Sequence, residues 1–291
     1  KGGGLNVMSH LHAQSHKRSL MRGRGVRTTV LLLVTLIVLI PFVYMLCSAF
    51  KTGTEINSWP PTIFPRAFFG GNFQTLLETA PFPRFFVNSL GMAVLSAVGV
   101  VLTSSIGGYV FAKFRFGLNM PLFGLIFATS MIPFEMYMIP LYIDIVDVGL
   151  SNTFVGMVVP YLIMSFGIFF MRQLCMQQIP DELLDAARID GCGELRIFAS
   201  IVMPLLQSGV AALAILAFVE GWNAFIWPLI MATNNDLFTM EIGLALFQTT
   251  FNVDLGAVAA GSLCSVMPIV IVFFIYRRQI MESIAMTGMK G

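Results

Sequence analysis

Two acidic residues, Glu135 and Glu220, lie inside long apolar stretches of this 291-residue chain. An ionised carboxylate without a partner is costly in hydrocarbon, so each must line water, pair across a subunit interface or be protonated. Carboxylates in such positions usually mark a route for a solute, proton or cation through a membrane. Both residues are therefore candidates for a translocation path, and the alternative for each is a neutral, hydrogen-bonded contact between helices.

The residues that follow Glu220 combine aromatic rings with an amide. Trp222 and Asn223 come first, and Trp227 follows one helical turn later. Such groups suit a sugar site, because sugars present hydroxyl groups to polar side chains and C–H faces to rings. They also suit an aromatic belt at the membrane interface. We expect Trp222 and Asn223 to face the cavity and Trp227 to belong to the belt.

Other reactive side chains are placed unfavourably for catalysis. All three histidines, His10, His12 and His16, belong to a glycine-rich, basic N-terminal segment. The four cysteines match no metal spacing and are expected to be free thiols packed among apolar residues. The chain has no GxxxxGK[ST] phosphate-binding loop. The sequence therefore predicts no catalytic residues, no metal site and no ATP hydrolysis by this chain itself.

The elements that carry these residues are membrane-spanning helices. Hydrophobic residues make up 57% of the chain and charged residues 11%, with a mean hydropathy of +0.83. A soluble domain could not carry this composition on its surface. Stretches of about 20 apolar residues can cross a hydrocarbon core of ~30 Å as helices. The sequence predicts an all-α membrane protein with six spans, at residues 28–50, 86–112, 120–143, 153–176, 202–232 and 256–276.

The positions of the basic residues orient these spans. With the N-terminus inside, fourteen Lys and Arg residues are cytoplasmic and only Lys51, Arg66 and Arg84 are outside. This asymmetry follows the positive-inside rule. Both termini are therefore expected to be cytoplasmic, together with the polar segment between the fourth and fifth spans.

That polar segment, residues 180–191, has the pattern of a short charged helix. Pro180 and the acids Asp181 and Glu182 suit a first turn, and Gly191 suits the end of the helix. Between residues 181 and 196 five acids stand against two arginines. The resulting formal charge of −3, on an otherwise basic cytoplasmic face, favours a partner surface over a solvated loop.

Several motifs along the chain, in this order, resemble those of the maltose-type (MalG-like) permeases of carbohydrate ABC importers. Asp185-Ala186-Ala187, Gly191 and Ile201-Val202-Met203-Pro204 resemble the EAA loop of these permeases, with Asp185 in place of the usual Glu and Met203 in place of the usual Leu. The remaining motifs are Ser48–Thr52, Pro60–Thr62, Pro81–Leu90, Met131–Pro133, Met138–Tyr142, Trp222–Leu229 and Gly288–Gly291.

The resemblance implies an importer assembled from several chains. Its partners would be a second, homologous permease subunit, two cytoplasmic ATPase subunits that hold ATP and Mg, and an extracytoplasmic solute-binding protein. The cytoplasmic helix would be a coupling helix seated in a cleft of an ATPase subunit. The residues that the resemblance assigns to ATPase coupling are Glu182, Asp185, Ala186, Ala187, Asp190, Gly191 and Pro204. Those that it assigns to a C-terminal contact with the ATPase are Gly288, Lys290 and Gly291.

Together these observations predict a sugar permease of the bacterial plasma membrane. Residues 1–27 would form a basic cytoplasmic tail, 28–276 the transmembrane domain with its coupling loop at 177–204, and 277–291 a C-terminal tail. Lipid and a mono- or oligosaccharide complete the expected partners, with no nucleic acid. The main alternative is an ion-coupled secondary transporter that uses Glu135 or Glu220 as its ion-binding carboxylate.

Overall fold

The computed structural model describes residues 27–249 and 254–288. Within these residues all regular elements are helical, as predicted. The helices are α1 (Arg27–Ser48), α2 (Gly53–Ile56), α3 (Gly71–Thr79), α4 (Phe82–Lys113), α5 (Asn119–Thr129), α6 (Phe134–Asp147), α7 (Phe154–Val158), α8 (Ser165–Gln178), α9 (Asp181–Ile189), α10 (Glu194–Ile197), α11 (Met203–Leu205), α12 (Gln207–Trp222), α13 (Ile226–Met231), α14 (Met240–Thr249) and α15 (Leu255–Gly288).

Four helical segments of the described residues are long and apolar enough to cross a membrane singly. They are Arg27–Ser48, Phe82–Lys113, Phe154–Gln178 and Leu255–Arg277. Two further candidates are bent pairs, α5 with α6 and the segment α10–α11 with α12. The number of spans is therefore between four and six, and it reaches the predicted six when each bent pair crosses once.

The third predicted span, 120–143, is not one continuous helix. It breaks between Thr129 and Phe134, and α5 and α6 meet at 101°. Pro133 lies directly before α6. Proline lacks an amide hydrogen and disfavours helical geometry in the residue before it, which explains the position of the break.

The fifth predicted span, 202–232, is interrupted twice. The chain bends by 83° at Leu206, before α12 begins. It leaves helical geometry again after Trp222, and α13 starts only at Ile226. The following outer loop, predicted at 233–255, contains α14, which packs against α4 and α15. The span is thus shorter than predicted, and part of the predicted loop belongs to the packed bundle.

Helix α4 lies at the centre of the bundle and packs against α8 and α12. Small residues make this close approach possible. A β-carbon added at Gly221 would lie 2.9 Å from the Ser96 hydroxyl, and one at Gly108 would lie 2.7 Å from the backbone nitrogen of Arg172. One at Gly167 would collide with Ser104. Each of these glycines is therefore a recess that receives the neighbouring helix.

Helix α1 is attached to the bundle mainly at its C-terminal end. Most of its apolar side chains are exposed, whereas Lys51, just after the helix, is 1% exposed. The Lys51 ammonium donates to the Thr62 carbonyl and lies 4.6 Å from the centre of the Tyr44 ring. The Asn72 amide donates to the carbonyls of Ala49 and Lys51, at 2.9 and 2.8 Å. The rest of α1 is thus available to lipid or to another chain.

Candidate functional site

A cavity of about 790 Å³ lies where three helix interruptions meet. The first is the break between α5 and α6, the second the irregular segment around Pro160–Ser165, and the third the break between α12 and α13. Unwound backbone at membrane depth is tolerated only where it is buried in protein or lines water. The convergence of three such segments marks this cavity as the candidate solute site.

Glu135 and Glu220 both line this cavity. Glu135 is the second residue of α6, directly after the 101° bend between α5 and α6. The break itself brings the two carboxylates to one cavity. Neither carboxylate has an ion-pair or hydrogen-bond partner among the described residues, so the geometry does not provide the predicted alternative of a hydrogen-bonded helix contact.

The charged side chains that line the cavity are both acidic. Its lining residues include no Lys or Arg. The basic residue nearest in sequence to the lining residues is Arg172 on α8. Its side chain donates to the Phe111 carbonyl at 3.2 Å, and its guanidinium lies 4.2 Å from the centre of the Phe123 ring. Its cation is thus held by α4 and α5. The cavity therefore presents hydrogen-bond acceptors without a matching cation among the described residues that line it.

The structure places neither tryptophan as predicted, because both are buried in the bundle. Trp222 is fully buried, its indole N–H donates to the Ser265 carbonyl at 3.1 Å, and its ring stacks on Phe218. It does not line the cavity. Trp227, assigned from the sequence to an interface belt, borders the cavity but is also fully buried, and its indole N–H donates to the Gly156 carbonyl of α7 at 3.1 Å. Asn223 lines the cavity as predicted.

Sequence reasoning missed other lining groups. Tyr137 and Tyr161 contribute phenol rings, and the hydroxyls of Thr129 and Ser165 lie 2.8 Å apart on the cavity wall. Tyr161 follows Pro160 directly, so the helix break expected at this proline is a sequence signal for a lining residue. No signal in the sequence distinguishes the other three from ordinary helix residues.

The second candidate site is the polar segment, which folds as α9. The helix begins at Asp181, with Pro180 as the residue before it rather than in the first turn. It ends at Ile189, and Gly191, two residues later, has a φ of +81° and reverses the chain as predicted. The amide of Cys192 then donates to the Ala187 carbonyl, which closes the turn. An L side chain rarely adopts this backbone conformation, so glycine is required here.

Helix α9 has one buried face and one exposed face. Leu184 and Ala187 pack into the core beside Ile197. Ile189 and Leu195, at the far side of the segment, are each 86% exposed. Two large apolar side chains held in solvent beside a packed helix are typical of a contact surface.

The acids of this segment are more compensated than the sequence suggested. Asp181 pairs with Lys113 of α4 at 2.6 Å, and this cation holds the pKa of the Asp181 carboxyl below its ordinary value. Arg188 pairs with Asp185 at 2.9 Å and with Glu194 at 2.7 Å.

Among the described residues of the segment, only Glu182 and Asp190 are acids without an ion pair. Three of the five acids are therefore paired within the chain, and the segment offers a partner less unpaired negative charge than the formal value of −3 suggests. The exposed apolar pair Ile189 and Leu195 is the stronger evidence for a contact surface.

The remaining predicted residues are placed as follows. Ala186 is exposed on α9, Pro204 is exposed shortly before the 83° bend, and Gly288 is the last residue of α15. Lys290 and Gly291, the three histidines and the N-terminal tail lie outside the described residues. Among the described residues no cluster of three or more metal-ligating side chains occurs. The four cysteines are free, as predicted.

Comparison with known proteins gives consistent matches. The family described as "Binding-protein-dependent transport system inner membrane component" matches residues 104–280. The arabinooligosaccharides transport system permease protein AraQ of Halalkalibacterium halodurans is 34% identical over 89% of this chain and 93% of the relative.

Two further relatives have different named solutes. The lactose transport system permease protein LacG of Rhizobium radiobacter is 32% identical over 88% of this chain and 93% of its own length. The sn-glycerol-3-phosphate transport system permease protein UgpE of Escherichia coli is 30% identical over 86% and 92%.

A solved structure has the same fold. It is a chain of a bacterial ABC transporter involved in the import of the acidic polysaccharide alginate. Its TM-score is 0.80, with coverage of 88% of this chain and 96% of that chain, and the sequences are 21% identical.

Proposed function

Because this chain belongs to the binding-protein-dependent transport system inner membrane components, we propose that it forms half of the translocation path of an ATP-driven importer for an uncharged mono- or oligosaccharide. The chain is a multi-pass membrane permease subunit, and its relatives are permeases rather than enzymes. Its partners would be a second permease, two ATPase subunits and an extracytoplasmic solute-binding protein.

The observation that carries this proposal is the exposed face of α9. Gly191 ends the helix in a left-handed turn, and Ile189 and Leu195 are left in solvent beside it. An apolar tip of this kind gains free energy when a cleft on another protein removes it from water. The unpaired acids Glu182 and Asp190 add a charge that a basic rim on an ATPase subunit would match. Closure of the ATPase subunits would thereby reach the bundle.

The cavity supports a neutral sugar as the solute. Glu135, Glu220 and Asn223 supply acceptors for hydroxyl donors, while Tyr137 and Tyr161 supply ring faces for C–H groups. Two carboxylates without a lining cation disfavour a phosphate or uronate by like-charge repulsion. Among the solutes named for the relatives, arabinooligosaccharides and lactose fit this wall better than glycerol 3-phosphate does.

The same two carboxylates favour one alternative, an ion-coupled secondary transporter. In that case Glu135 or Glu220 would bind the proton or sodium ion, and transport would need no ATPase. The exposed tip of α9 has no role in that mechanism.

Reconstitution in proteoliposomes separates the two functions. The chain would be purified with its co-expressed second permease and ATPase subunits, and uptake of lactose, arabinotriose and glycerol 3-phosphate measured with the binding protein present. We expect uptake of a neutral sugar that requires internal ATP and is unaffected by ionophores. Uptake without ATP that ionophores abolish would refute the importer, and preferred uptake of glycerol 3-phosphate would refute the neutral-sugar assignment.

A further inference from the structure

One helix of the bundle, α4, holds the coupling segment at two points. Lys113, the last residue of α4, donates to the Ile179 carbonyl and to Asp181, both at 2.6 Å. Its side chain is only 7% exposed. One ammonium group thus joins the end of α4, the end of α8 and the first residue of α9.

The second point is one helical turn earlier on the same face of α4. The Tyr109 hydroxyl donates to Glu194 at 3.0 Å, and Tyr109 is 4% exposed. Glu194 also accepts from Arg188, which reaches back to Asp185 in the middle of α9. Lys113 therefore holds the beginning of α9, and Tyr109 holds the segment after its end. Two contacts, one at each end of α9, leave the helix less freedom to rotate relative to α4 than either contact alone would.

The opposite end of α4 is attached to the outer segment after α13. Arg84 pairs with Asp236 at 2.6 Å. The Asn88 amide donates to the carbonyls of Asp236 and Phe238 at 2.8 and 3.0 Å. The Ser89 hydroxyl accepts from the Met240 amide at 2.9 Å. Between these two attachments α4 contributes Val100 to the cavity wall.

The continuity of α4 contrasts with the other connections of α9. From α9 the chain continues through the π-helical turn Phe198–Val202 and the 83° bend at Leu206 before it reaches α12. In the other direction from α9, α8 extends back only to Ser165, which follows the irregular residues Ile163 and Met164. Bends and π-helical turns are the points at which helices yield. By contrast, α4 is one helix of 32 residues, about 48 Å long.

We propose that α4 and α9 move as one body, clamped by Lys113–Asp181 and Tyr109–Glu194, and that α4 carries the movement of α9 to the cavity and to the outer segment 236–240. The inference rests on the proposed function, because it presumes that an ATPase subunit moves α9. It assigns Tyr109 and Lys113 as positioning residues rather than as contacts of solute or ATPase.

A cavity reporter tests the inference without requiring an identified sugar. In the complex with its ATPase subunits, the four native cysteines would be replaced and Ser130→Cys introduced on the cavity wall. Its reaction rate with a water-soluble thiol reagent would be compared in the nucleotide-free and ATP–vanadate-trapped complexes. We expect about a fivefold difference between the two states, a typical size for coupled sites.

The clamp variant combines Tyr109→Phe and Lys113→Met, which keep the side-chain volumes and remove the polar ends. We expect the nucleotide-dependent difference to fall below about twofold while ATP hydrolysis continues. Arg115→Met, which removes an exposed cation two residues from Lys113, is the matched control and should respond as the parent does. An undiminished response in the clamp variant would refute the inference and leave the proposed function intact. A parent complex that hydrolyses no ATP would refute both.

A covalent tether provides a second test if the clamp variant does not assemble. Lys113→Cys and Asp181→Cys would be joined by a short bifunctional thiol reagent in the background without native cysteines. Because one body needs no movement between these positions, ATP turnover of the tethered complex should stay within about twofold of the same variant before linking. Loss of turnover on tethering would mean that α9 moves relative to α4 and would overturn the inference.

Discussion

At the scale of single residues, Gly191 shows how a backbone requirement differs from a steric one. A β-carbon added at Gly191 would meet no atom within 4 Å, so space is not limiting. The constraint is the φ of +81°, which β-branched residues avoid. Gly193, two residues later, also has open space but an extended backbone, with φ −72° and ψ 157°. The two glycines therefore form a matched pair for mutation.

We predict that Gly191→Val abolishes ATP-driven uptake at normal membrane abundance, whereas Gly193→Val leaves it nearly unchanged. The left-handed conformation costs a β-branched residue about 1–2 kcal/mol, and relief of this strain would displace the end of α9 and the Ile189 side chain with it. Gly191→Asn, which tolerates that conformation, should retain most uptake. Quantitative uptake with immunoblotting of membranes checks this, and near-normal uptake by Gly191→Val would contradict the coupling role of α9.

Glu220 supports a second prediction at this scale. Glu220→Gln should retain partial transport of a neutral sugar because the amide can still bind hydroxyl groups, and Glu220→Leu should lose more. The control is Glu78, an exposed residue of α3 that accepts a hydrogen bond from Gln74. Glu78→Gln and Glu78→Leu should have little effect on transport. If a cysteine at position 220 is unreactive toward water-soluble thiol reagents in every nucleotide state, the carboxylate does not face the path.

At the scale of elements, the helix breaks decide the site, and they are only partly visible in the sequence. Pro133 coincides with a break, whereas Pro140 and Pro268 lie inside α6 and α15. Pro204 stands two residues before the bend at Leu206, whereas the break after Trp222 occurs where residues 223–225 include no proline. A proline removes one hydrogen bond, but neighbouring helices determine whether the helix stays continuous, and that information is tertiary. Glu135 and Glu220 could therefore be predicted as a pair, while the burial of both Trp222 and Trp227 could not.

The exposed tip of α9 leads to a third prediction. Ile189→Asp should reduce recovery of the ATPase subunits with the purified chain and lower uptake at least about tenfold, since a carboxylate would have to be desolvated in an apolar cleft. Leu118→Asp is a suitable control because Leu118 is also exposed, between α4 and α5. Equal recovery of ATPase subunits by the two variants would argue against docking through this tip.

At the scale of the whole molecule, composition predicts the class well because it sums over all residues. Composition cannot predict which surface contacts which partner, because the groups that cover each surface belong to other chains or to lipid. The exposed length of α1 and the open cavity illustrate this, because both are complete only in an assembly or a membrane. The predicted cytoplasmic location of both termini rests on the distribution of Lys and Arg and stays a prediction.

A fourth prediction concerns the division of labour in that assembly. The purified chain alone should hydrolyse no ATP, because it has no phosphate-binding loop, and hydrolysis should appear when the ATPase subunits are added. A coupled phosphate-release assay on the isolated chain, verified by intact mass, measures this. ATP turnover by the isolated chain would contradict the assignment, and an ATPase subunit with its Walker lysine replaced is the control for contamination.

The glycine recesses along α4 also have an evolutionary consequence. Ser96 and Gly221 share one small volume between two helices, so neither position can drift alone toward a larger residue. A lineage that acquires Ala at 221 should carry Gly at 96, and the reverse exchange of volume should be equally acceptable. The same reasoning applies to Ser104 with Gly167. Paired substitutions at these positions among family members would show that the same helix contacts are kept throughout the family.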